Sequence, residues 1–240
     1  MIMPEPGFAQ VFSLDLNNGE NQLGGSAAAR IIQLVILITV LSIAPSILIM
    51  MTSFVRIIIV FSLLRTAMGT QQTPPNFVLI SLALFLTFFV MQPTMERVYD
   101  QGIAPLIAEQ ITEQQAFERS ILPVRDFMLA NLREADLLFF ANIAKIDDET
   151  ATSAQDAPMR IIVPAFMIGE IRRAFEIGFL VFIPFLIIDL VVASVLMSMG
   201  MMMLPPVIIS LPFKLIFFVL VDGWYMVAGS LVQSFDSGLP

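Results

Sequence analysis

The stretch that decides the fold is residues 182–224, FIPFLIIDLVVASVLMSMGMMMLPPVIISLPFKLIFFVLVDGW. In it, two apolar arms flank a short segment that disfavours helix. Gly200 is of the residue type that most often terminates helices, and Pro205 and Pro206 each disfavour helical geometry at the residue before them. A tight non-helical turn is therefore predicted from Met201 to Pro205, with the two arms folded back antiparallel.

Each arm of this hairpin carries one charge before Asp222, namely Asp189 in the first arm and Lys214 in the second. Both lie about twelve residues from the middle of the turn, which is roughly 18 Å along a helix. Residues equidistant from a turn face one another in an antiparallel hairpin, and a charge in an apolar segment usually faces a partner or a cavity. The sequence therefore predicts an ion pair between Asp189 and Lys214; the alternative is that each pairs elsewhere or extends to the membrane surface.

The composition is that of a membrane protein. Hydrophobic residues make up 58% of the 240 residues, charged residues only 13%, and the mean hydropathy is +0.88, far outside the range of soluble domains. A net charge of −8 leaves no basic surface for nucleic acid. Because the chain contains neither Cys nor His, thiolate chemistry, zinc sites and imidazole catalysis are excluded. We therefore predict no metal, no cofactor and no nucleic-acid partner.

Tyr and Trp are scarce in this sequence. It has twenty-one Phe and sixteen Met but two Tyr and one Trp, whereas an ordinary membrane protein places Trp and Tyr at both membrane interfaces. The apolar helices are therefore expected to pack mainly on other protein, as they would in a large oligomer.

We predict an all-α membrane-type protein, with two long apolar helical hairpins and a small polar helical domain between them. The polar domain carries twelve of the twenty acidic residues against six basic ones, so it is expected to face water. In chain order, the predicted regions are a polar N-terminal tail (1–30), a first apolar hairpin (31–92), an acidic α-helical domain (93–160) and the closing apolar hairpin (161–240).

The first hairpin starts with an apolar run long enough to span a bilayer, Ile31–Met51, and apolar sequence continues after Thr52 and Ser53 to Leu64. A second run, Asn76–Met91, returns after a turn at Pro74–Pro75. The basic residues before this turn, Arg56 among them, are interpreted by the positive-inside rule. That rule puts both hairpin turns inside and the acidic domain outside.

Two motifs organise the polar domain. Thr112-Glu-Gln-Gln115 has the pattern of a capping box, which predicts that a helix begins there. Arg133, Glu134 and Asp136 lie between two apolar clusters, so we expect these polar residues to be structural or to contact another subunit.

Charged residues cluster again just before the closing hairpin. Glu176 follows Arg172 by four residues, and Arg173 follows Glu170 by three. These are the spacings of neighbours on one helix face, so two local ion pairs are predicted there. No functional site is needed to explain them.

Carboxylates in apolar segments raise two chemical hypotheses. An intramembrane aspartic protease needs two carboxylates that share a proton. The hairpin register separates Asp189 and Asp222 by about 12 Å along the axis, so we predict no enzyme and a structural role for Asp222. An ion-coupled transporter or ion-channel subunit that uses Asp189, Lys214 and Asp222 stays open as an alternative, because such groups in broken helices relay protons or hold ions.

The predicted turn contains three consecutive methionines, Met201, Met202 and Met203. On a helix, neighbours point about 100° apart, but in an extended turn their side chains can converge. In a ring of subunits such tips would meet on the axis, where an apolar constriction blocks ions by dewetting. The alternative is ordinary gap filling in a core, for which flexible methionine is well suited.

Longer blocks of sequence add to this pattern. In chain order they are MMTSFVRIIIVF (50–61), PPN (74–76), LALFLTFF (82–89), READL (133–137), FIPFLIIDL (182–190), GMMM (200–203), LPFKL (211–215) and VDGW (221–224). Together they closely resemble the FliP family of flagellar type III export-gate proteins, which is related to the SctR proteins of virulence injectisomes. The resemblance runs from about Ile31 to the C-terminus.

The resemblance implies a structural, pore-forming subunit of the gate through which unfolded flagellar proteins cross the bacterial inner membrane. Family members form a pentameric, helically staggered assembly with FliQ-like and FliR-like subunits in the flagellar basal body, together with FlhB-like and FlhA-like export proteins. Their methionine-rich loop is a gasket of the closed pore, which corresponds here to Met201, Met202 and Met203. The N-terminus and the acidic domain are expected in the periplasm.

Overall fold

The computed structural model describes residues 24–144, 157–201 and 203–236 of the chain. The regular structure in these ranges is entirely helical, which confirms the predicted all-α class. The described residues fall into two units, one up to residue 45 and one from residue 46. Of the predicted N-terminal tail, residues 1–23 lie outside the described part, and the remainder is already helical.

Helix α1 (Gly24–Met50) begins before the apolar run that predicted it. Three alanines precede Arg30, and alanine has the highest helix propensity, so the helix extends toward the N-terminus. Within α1, the segment Arg30–Ile47 has a mean hydropathy of 2.0 and is long and apolar enough to cross a membrane.

The apolar sequence that continues to Leu64 forms two helices. Three residues separate the end of α1 at Met50 from the start of α2 (Phe54–Met68). In the break, the Thr52 hydroxyl donates to the Ile49 carbonyl (2.8 Å) and accepts from the Phe54 N–H (3.4 Å). A hydroxyl that bonds to nearby backbone groups competes with helix continuation, which explains the break at this residue.

Helices α2 and α3 (Asn76–Val98) form the first hairpin. Helix α2 ends at Gly69, which is left-handed (φ 77°) and whose N–H donates to the Thr66 carbonyl (3.1 Å). Arg65 Nη1 donates to Asn76 Oδ1 (2.5 Å) and so joins the end of α2 to the start of α3. Helix α3 continues past the predicted end of its apolar run.

Short helices form the polar domain, and they are a π-helical turn (Tyr99–Ile103), α4 (Ala104–Ile107), α5 (Glu113–Asn131) and α6 (Glu134–Ile143). The predicted capping box at the start of α5 is confirmed. Gln115 N–H donates to Thr112 Oγ1 (3.3 Å), and Gln115 Oε1 accepts from the Thr112 N–H (3.2 Å). Residues 145–156 of this region lie outside the described part.

The closing hairpin consists of α7 (Met159–Ser198), a helix of 40 residues, and α8 (Pro206–Leu220). Helix α9 (Gly223–Asp236) follows α8 with a bend of 62°, at Asp222, whose φ is 53°. Within the described residues, three helices are long and apolar enough to cross a membrane, or four when α8 and α9 count as one broken span.

The main core lies between α2 and α7, and α3, α5, α6 and α9 contribute to it. Phe127 of α5 stacks on Phe235 of α9 (centroids 6.1 Å apart) and meets the edge of Phe166 of α7 (6.0 Å). Helices α2 and α7 approach closely at Gly178, where a Cβ would lie 2.2 Å from Leu63 Cδ1 and 3.2 Å from Leu63 Cβ.

Gly178→Ala is expected to destabilise the fold. Helix propensity favours Ala over Gly by roughly 0.5–1 kcal/mol, but the added methyl group collides with Leu63, and overpacking costs about 1–3 kcal/mol. We expect a lower midpoint of thermal unfolding in detergent, partly restored by Leu63→Ala. Gly229→Ala is the matched control, because nothing lies within 4 Å of a Cβ there. Equal effects of the two glycine substitutions would contradict the prediction.

Candidate functional site

Helix α7 ends in a Schellman motif at the turn of the closing hairpin. The Met201 N–H donates to the Leu196 carbonyl (3.0 Å), and the Gly200 N–H donates to the Met197 carbonyl (3.1 Å). Gly200 has a left-handed φ of 73°, which the motif requires at this position. Pro206 then opens α8 at a position where a backbone N–H would have no helical partner. The turn backbone is thus fixed on both sides.

The tip of this hairpin, residues 197–203, is rich in methionine, and we name it the methionine tip. It holds five of the sixteen methionines of the chain. Met202 lies outside the described residues. The other four are exposed, with exposed fractions between 40% and 98%: Met197, Met199, Met201 and Met203. Because no charged residue lies between Asp189 and Lys214, the tip is apolar and free of charge.

Asp189 and Lys214 form an ion pair across the hairpin. Lys214 Nζ lies 2.6 Å from Asp189 Oδ2, and Ser210 Oγ donates to Asp189 Oδ1 (2.5 Å). The Lys214 side chain is 5% exposed and that of Asp189 27%. Both carboxylate oxygens therefore have a partner, which offsets part of the free-energy cost of removing these charges from water.

Lys214 also links the closing hairpin to the first hairpin. Its Nζ donates to the Ala67 carbonyl (3.2 Å) in the last turn of α2. The last carbonyls of a helix lack intrahelical donors and carry partial negative charge, so an ammonium group is favoured there. A second apolar cluster surrounds this junction, formed by Leu64, Ala67, Met68, Phe185 and Phe218. Sequence reasoning missed Ala67, because a backbone carbonyl has no sequence signature.

Asp222 does not join this site. It is exposed and lies in the break between α8 and α9. In the part of the chain that the structure describes, none of the ion pairs includes it. The structure therefore brings together two of the three charges that an ion relay was expected to use, and leaves the third apart.

Arg133, Glu134 and Asp136 lie at the start of α6. Arg133 is extended and precedes the helix, and the two carboxylates lie in its first turn, where they interact favourably with the helix dipole. Asp136 Oδ2 is buried, and a Cβ at Gly169 of α7 would lie 3.4 Å from it. The motif thus lies where α6 packs on α7.

Arg56 of α2 and Glu170 of α7 form a fully buried ion pair, with side chains 1% and 0% exposed. Arg56 Nε donates to Glu170 Oε2 (2.8 Å) and Nη2 donates to Oε1. Its Nη1 donates to the Ser234 carbonyl (3.1 Å) and to Ser234 Oγ (2.9 Å), and its Cζ lies 3.6 Å from the ring centroid of Phe235. These are strong, charge-assisted contacts. One arginine therefore joins α2, α7 and α9.

The sequence-based interpretation of these charges is partly wrong. Arg172 and Glu176 form the predicted local pair at 3.0 Å. Glu170, by contrast, contacts Arg56, which lies 114 residues earlier, and forms no ion pair with Arg173. Arg56 is accordingly a core residue and carries no information about the side of the membrane. The available signal was that Arg56 is a single charge inside an apolar run, which usually requires a partner.

The segments that carry both ion pairs lie within the part of the chain that a known family matches. A family model described as the FliP family matches residues 37–231. The chain belongs to the FliP family. This match spans all four residues of the Arg56–Glu170 and Asp189–Lys214 pairs and the whole methionine tip, and it confirms the resemblance drawn from the sequence.

Individual relatives support the same assignment to the FliP family. The flagellar biosynthetic protein FliP of Caulobacter vibrioides is 60% identical over 237 residues, which are 99% of this chain and 87% of that protein. The protein of the same name from Bacillus subtilis is 55% identical over 204 residues (85% and 91%). That of Aquifex aeolicus is 49% identical over 229 residues (95% and 94%).

Loss of one partner of the Arg56–Glu170 pair is expected to destabilise the fold. A buried charge left unpaired costs about 3–5 kcal/mol, so Glu170→Gln and Arg56→Met should each lower the thermal midpoint in detergent strongly. Replacing both residues by Met should cost less than the sum of the single changes. Arg172→Met breaks an exposed pair and is the control, with an expected cost of about 0–1 kcal/mol. Similar losses at both pairs would contradict this prediction.

The Asp189–Lys214 pair is expected to behave as a coupled unit. Asp189→Lys and Lys214→Asp should each reduce the yield of assembled protein, by the same reasoning about unpaired charges. The exchange of both residues should recover part of the yield but not all of it, because an aspartate at position 214 leaves the Ala67 carbonyl without a donor. The measurement is a double-mutant cycle on assembly yield, and independent effects would rule out coupling.

Proposed function

We propose that this chain is a structural, pore-forming subunit of the flagellar type III protein export gate, which lets unfolded flagellar proteins cross the inner membrane. Membership of the FliP family and the names of the relatives support the flagellar role. The observation that carries the pore-forming role is the methionine tip, an exposed and charge-free turn at the end of an anchored hairpin. This role needs no catalysis, so the chain is proposed to have no enzymatic activity.

The methionine tip has the properties that a resting seal requires. Its backbone is held by the Schellman motif at Gly200 and by Pro206, while its side chains are unbranched and flexible. Where several such tips meet, the space between them is apolar and narrow, and ions are excluded because the constriction does not stay wet. Flexible thioether side chains also move aside for a passing unfolded chain. Met201, Met202 and Met203 are the proposed gasket.

The exposed apolar surface supports a role within an assembly. Large apolar side chains are exposed on α3 and α7, including Phe85, Phe88, Phe89, Phe175 and Phe179. Lipid or protein must cover such a surface, and the scarcity of Tyr and Trp favours protein. The proposed partners are further copies of this chain in a pentamer, FliQ-like and FliR-like subunits, and neighbouring FlhB-like and FlhA-like export proteins.

The proposed location is the bacterial inner membrane within the flagellar basal body. Three helices of sufficient length and hydropathy support a membrane location. We place the N-terminus and the acidic domain in the periplasm, because the domain's carboxylates need water and the family commonly begins with a cleaved signal. Arg133, Glu134 and Asp136 are proposed to hold this domain on α7, beside the subunit contacts.

An ion-coupled transporter or channel subunit is less well supported. Such a relay needs a carboxylate that is free to take up an ion or a proton. Both oxygens of Asp189 already have partners in Lys214 and Ser210, and Asp222 lies outside the site. Ion-coupled uptake by vesicles that contain the purified chain would nevertheless favour that function over the gate.

The test of the gate is the triple substitution Met201→Ala, Met202→Ala and Met203→Ala, expressed with the partner subunits. It removes most of the side-chain volume but keeps Gly200 and Pro206, so assembly should survive. We expect ion conductance across the membrane to rise and growth to slow, because a constriction widened by a few ångströms, on the order of one water molecule, becomes wet.

Triple substitution by Leu is the matched control for the gate. Leucine restores the apolar volume, so the complex should be ion-tight again, while the stiffer branched side chains slow substrate passage. If the assembled triple-Ala complex is as ion-tight as the parent, these methionines are core filler and the seal lies elsewhere.

A further inference from the structure

The described methionines of this chain range from fully buried to almost fully exposed. The buried ones are no more than 3% exposed and are Met68, Met91 and Met128. The four described methionines of the methionine tip are exposed, and Met203 is 98% exposed. Since oxidants reach a thioether only where it is accessible, the buried methionines and those of the tip should differ sharply in their reactivity.

The choice of methionine at the tip needs an explanation beyond apolarity. Helix α8 follows the tip in the chain, and its large apolar residues are Leu, Ile, Val and Phe, without a methionine. Methionine differs from these residues in its flexibility and in its sulfur. Flexibility suits a seal. The sulfur adds a chemistry that no other side chain in this cysteine-free chain supplies.

We propose that the methionine tip is a reversible oxidation site for peroxide-class oxidants, and that its oxidation opens the seal. The thioether sulfur attacks one oxygen of hydrogen peroxide, the O–O bond breaks, and a sulfur–oxygen bond forms. The sulfur loses two electrons, the peroxide gains them, and the second oxygen leaves as water. A dithiol reductant reverses the change: the sulfoxide oxygen leaves as water, and the dithiol becomes a disulfide.

The predicted effect on the seal follows from polarity. A sulfoxide oxygen is a strong hydrogen-bond acceptor on a side chain that was apolar. A narrow apolar constriction excludes ions only while water finds no partners on its walls. Several sulfoxides on one constriction provide such partners, so water and then ions enter. This consequence rests on the proposed function, whereas the oxidation rests on the exposure of the tip methionines in the single chain.

The first experiment measures oxidation of the complex assembled with its partner subunits. The complex is treated with hydrogen peroxide, digested, and each methionine is followed by the mass of one added oxygen atom. We expect the tip methionines to react about tenfold faster than Met68, Met91 and Met128, a contrast that disappears after unfolding. Equal rates in the folded complex would overturn the proposal.

The second experiment measures ion conductance before and after peroxide. A tip variant changes all five methionines of residues 197–203 to Leu and should stay ion-tight under oxidant. A matched control variant changes three exposed methionines elsewhere, Met50, Met95 and Met226, whose exposed fractions are 42%, 43% and 60%. After treatment with peroxide, this control variant should conduct ions as the oxidised parent complex does. Treatment of the oxidised parent complex with methionine sulfoxide reductase should make it ion-tight again.

The outcomes separate this proposal from the gate itself. If the triple-Ala complex conducts ions but the oxidised parent does not, oxidation does not open the seal, and the proposed gate function stands. If the oxidised control variant stays ion-tight while the parent leaks, the responsible sulfurs lie outside the tip. Either result overturns the proposal.

Discussion

The buried ion pair between Arg56 and Glu170 is the constraint on which the rest of the structure depends. Neither charge reaches water, and each is stable only while the other is in place. The pair therefore fixes the position of α2 against α7. Through Ser234 and Phe235, the same guanidinium group holds α9. Helices from the beginning, the middle and the end of the larger unit thus meet at one polar point inside an apolar core.

The contacts of Lys214 repeat this arrangement near the C-terminal end of α2. One ammonium group satisfies the Asp189 carboxylate and an otherwise unpaired carbonyl at the end of α2. Each charge of the two ion pairs has its partners on other helices. Polar groups in an apolar protein therefore do more than avoid a penalty, because they select one relative position of helices that apolar contacts alone would hold less specifically.

The sequence predicts local features well. The helix start at Thr112 and the turn at Gly200 follow from residues that are neighbours in the chain, and the Asp189–Lys214 pair follows from symmetry about that turn. The Arg56–Glu170 pair could not be predicted in this way, because no turn relates the two residues and many registers of α2 on α7 are compatible with the same apolar pattern. The break at Thr52 depends on one hydroxyl that competes for the backbone, which hydropathy does not record.

The two ion pairs also hold α7 at two points along its length, at Glu170 and at Asp189. Glu170 and Asp189 lie nineteen residues apart, or roughly 28 Å along the helix. The free end beyond Asp189 reaches Ser198 after only about 14 Å. Because this free end is short, it resists bending, so a force applied at the methionine tip is transmitted to α2 with little local displacement. In the proposed gate, any widening between neighbouring tips must therefore come from the side chains and last turns of this free end, or from rotation of the whole subunit.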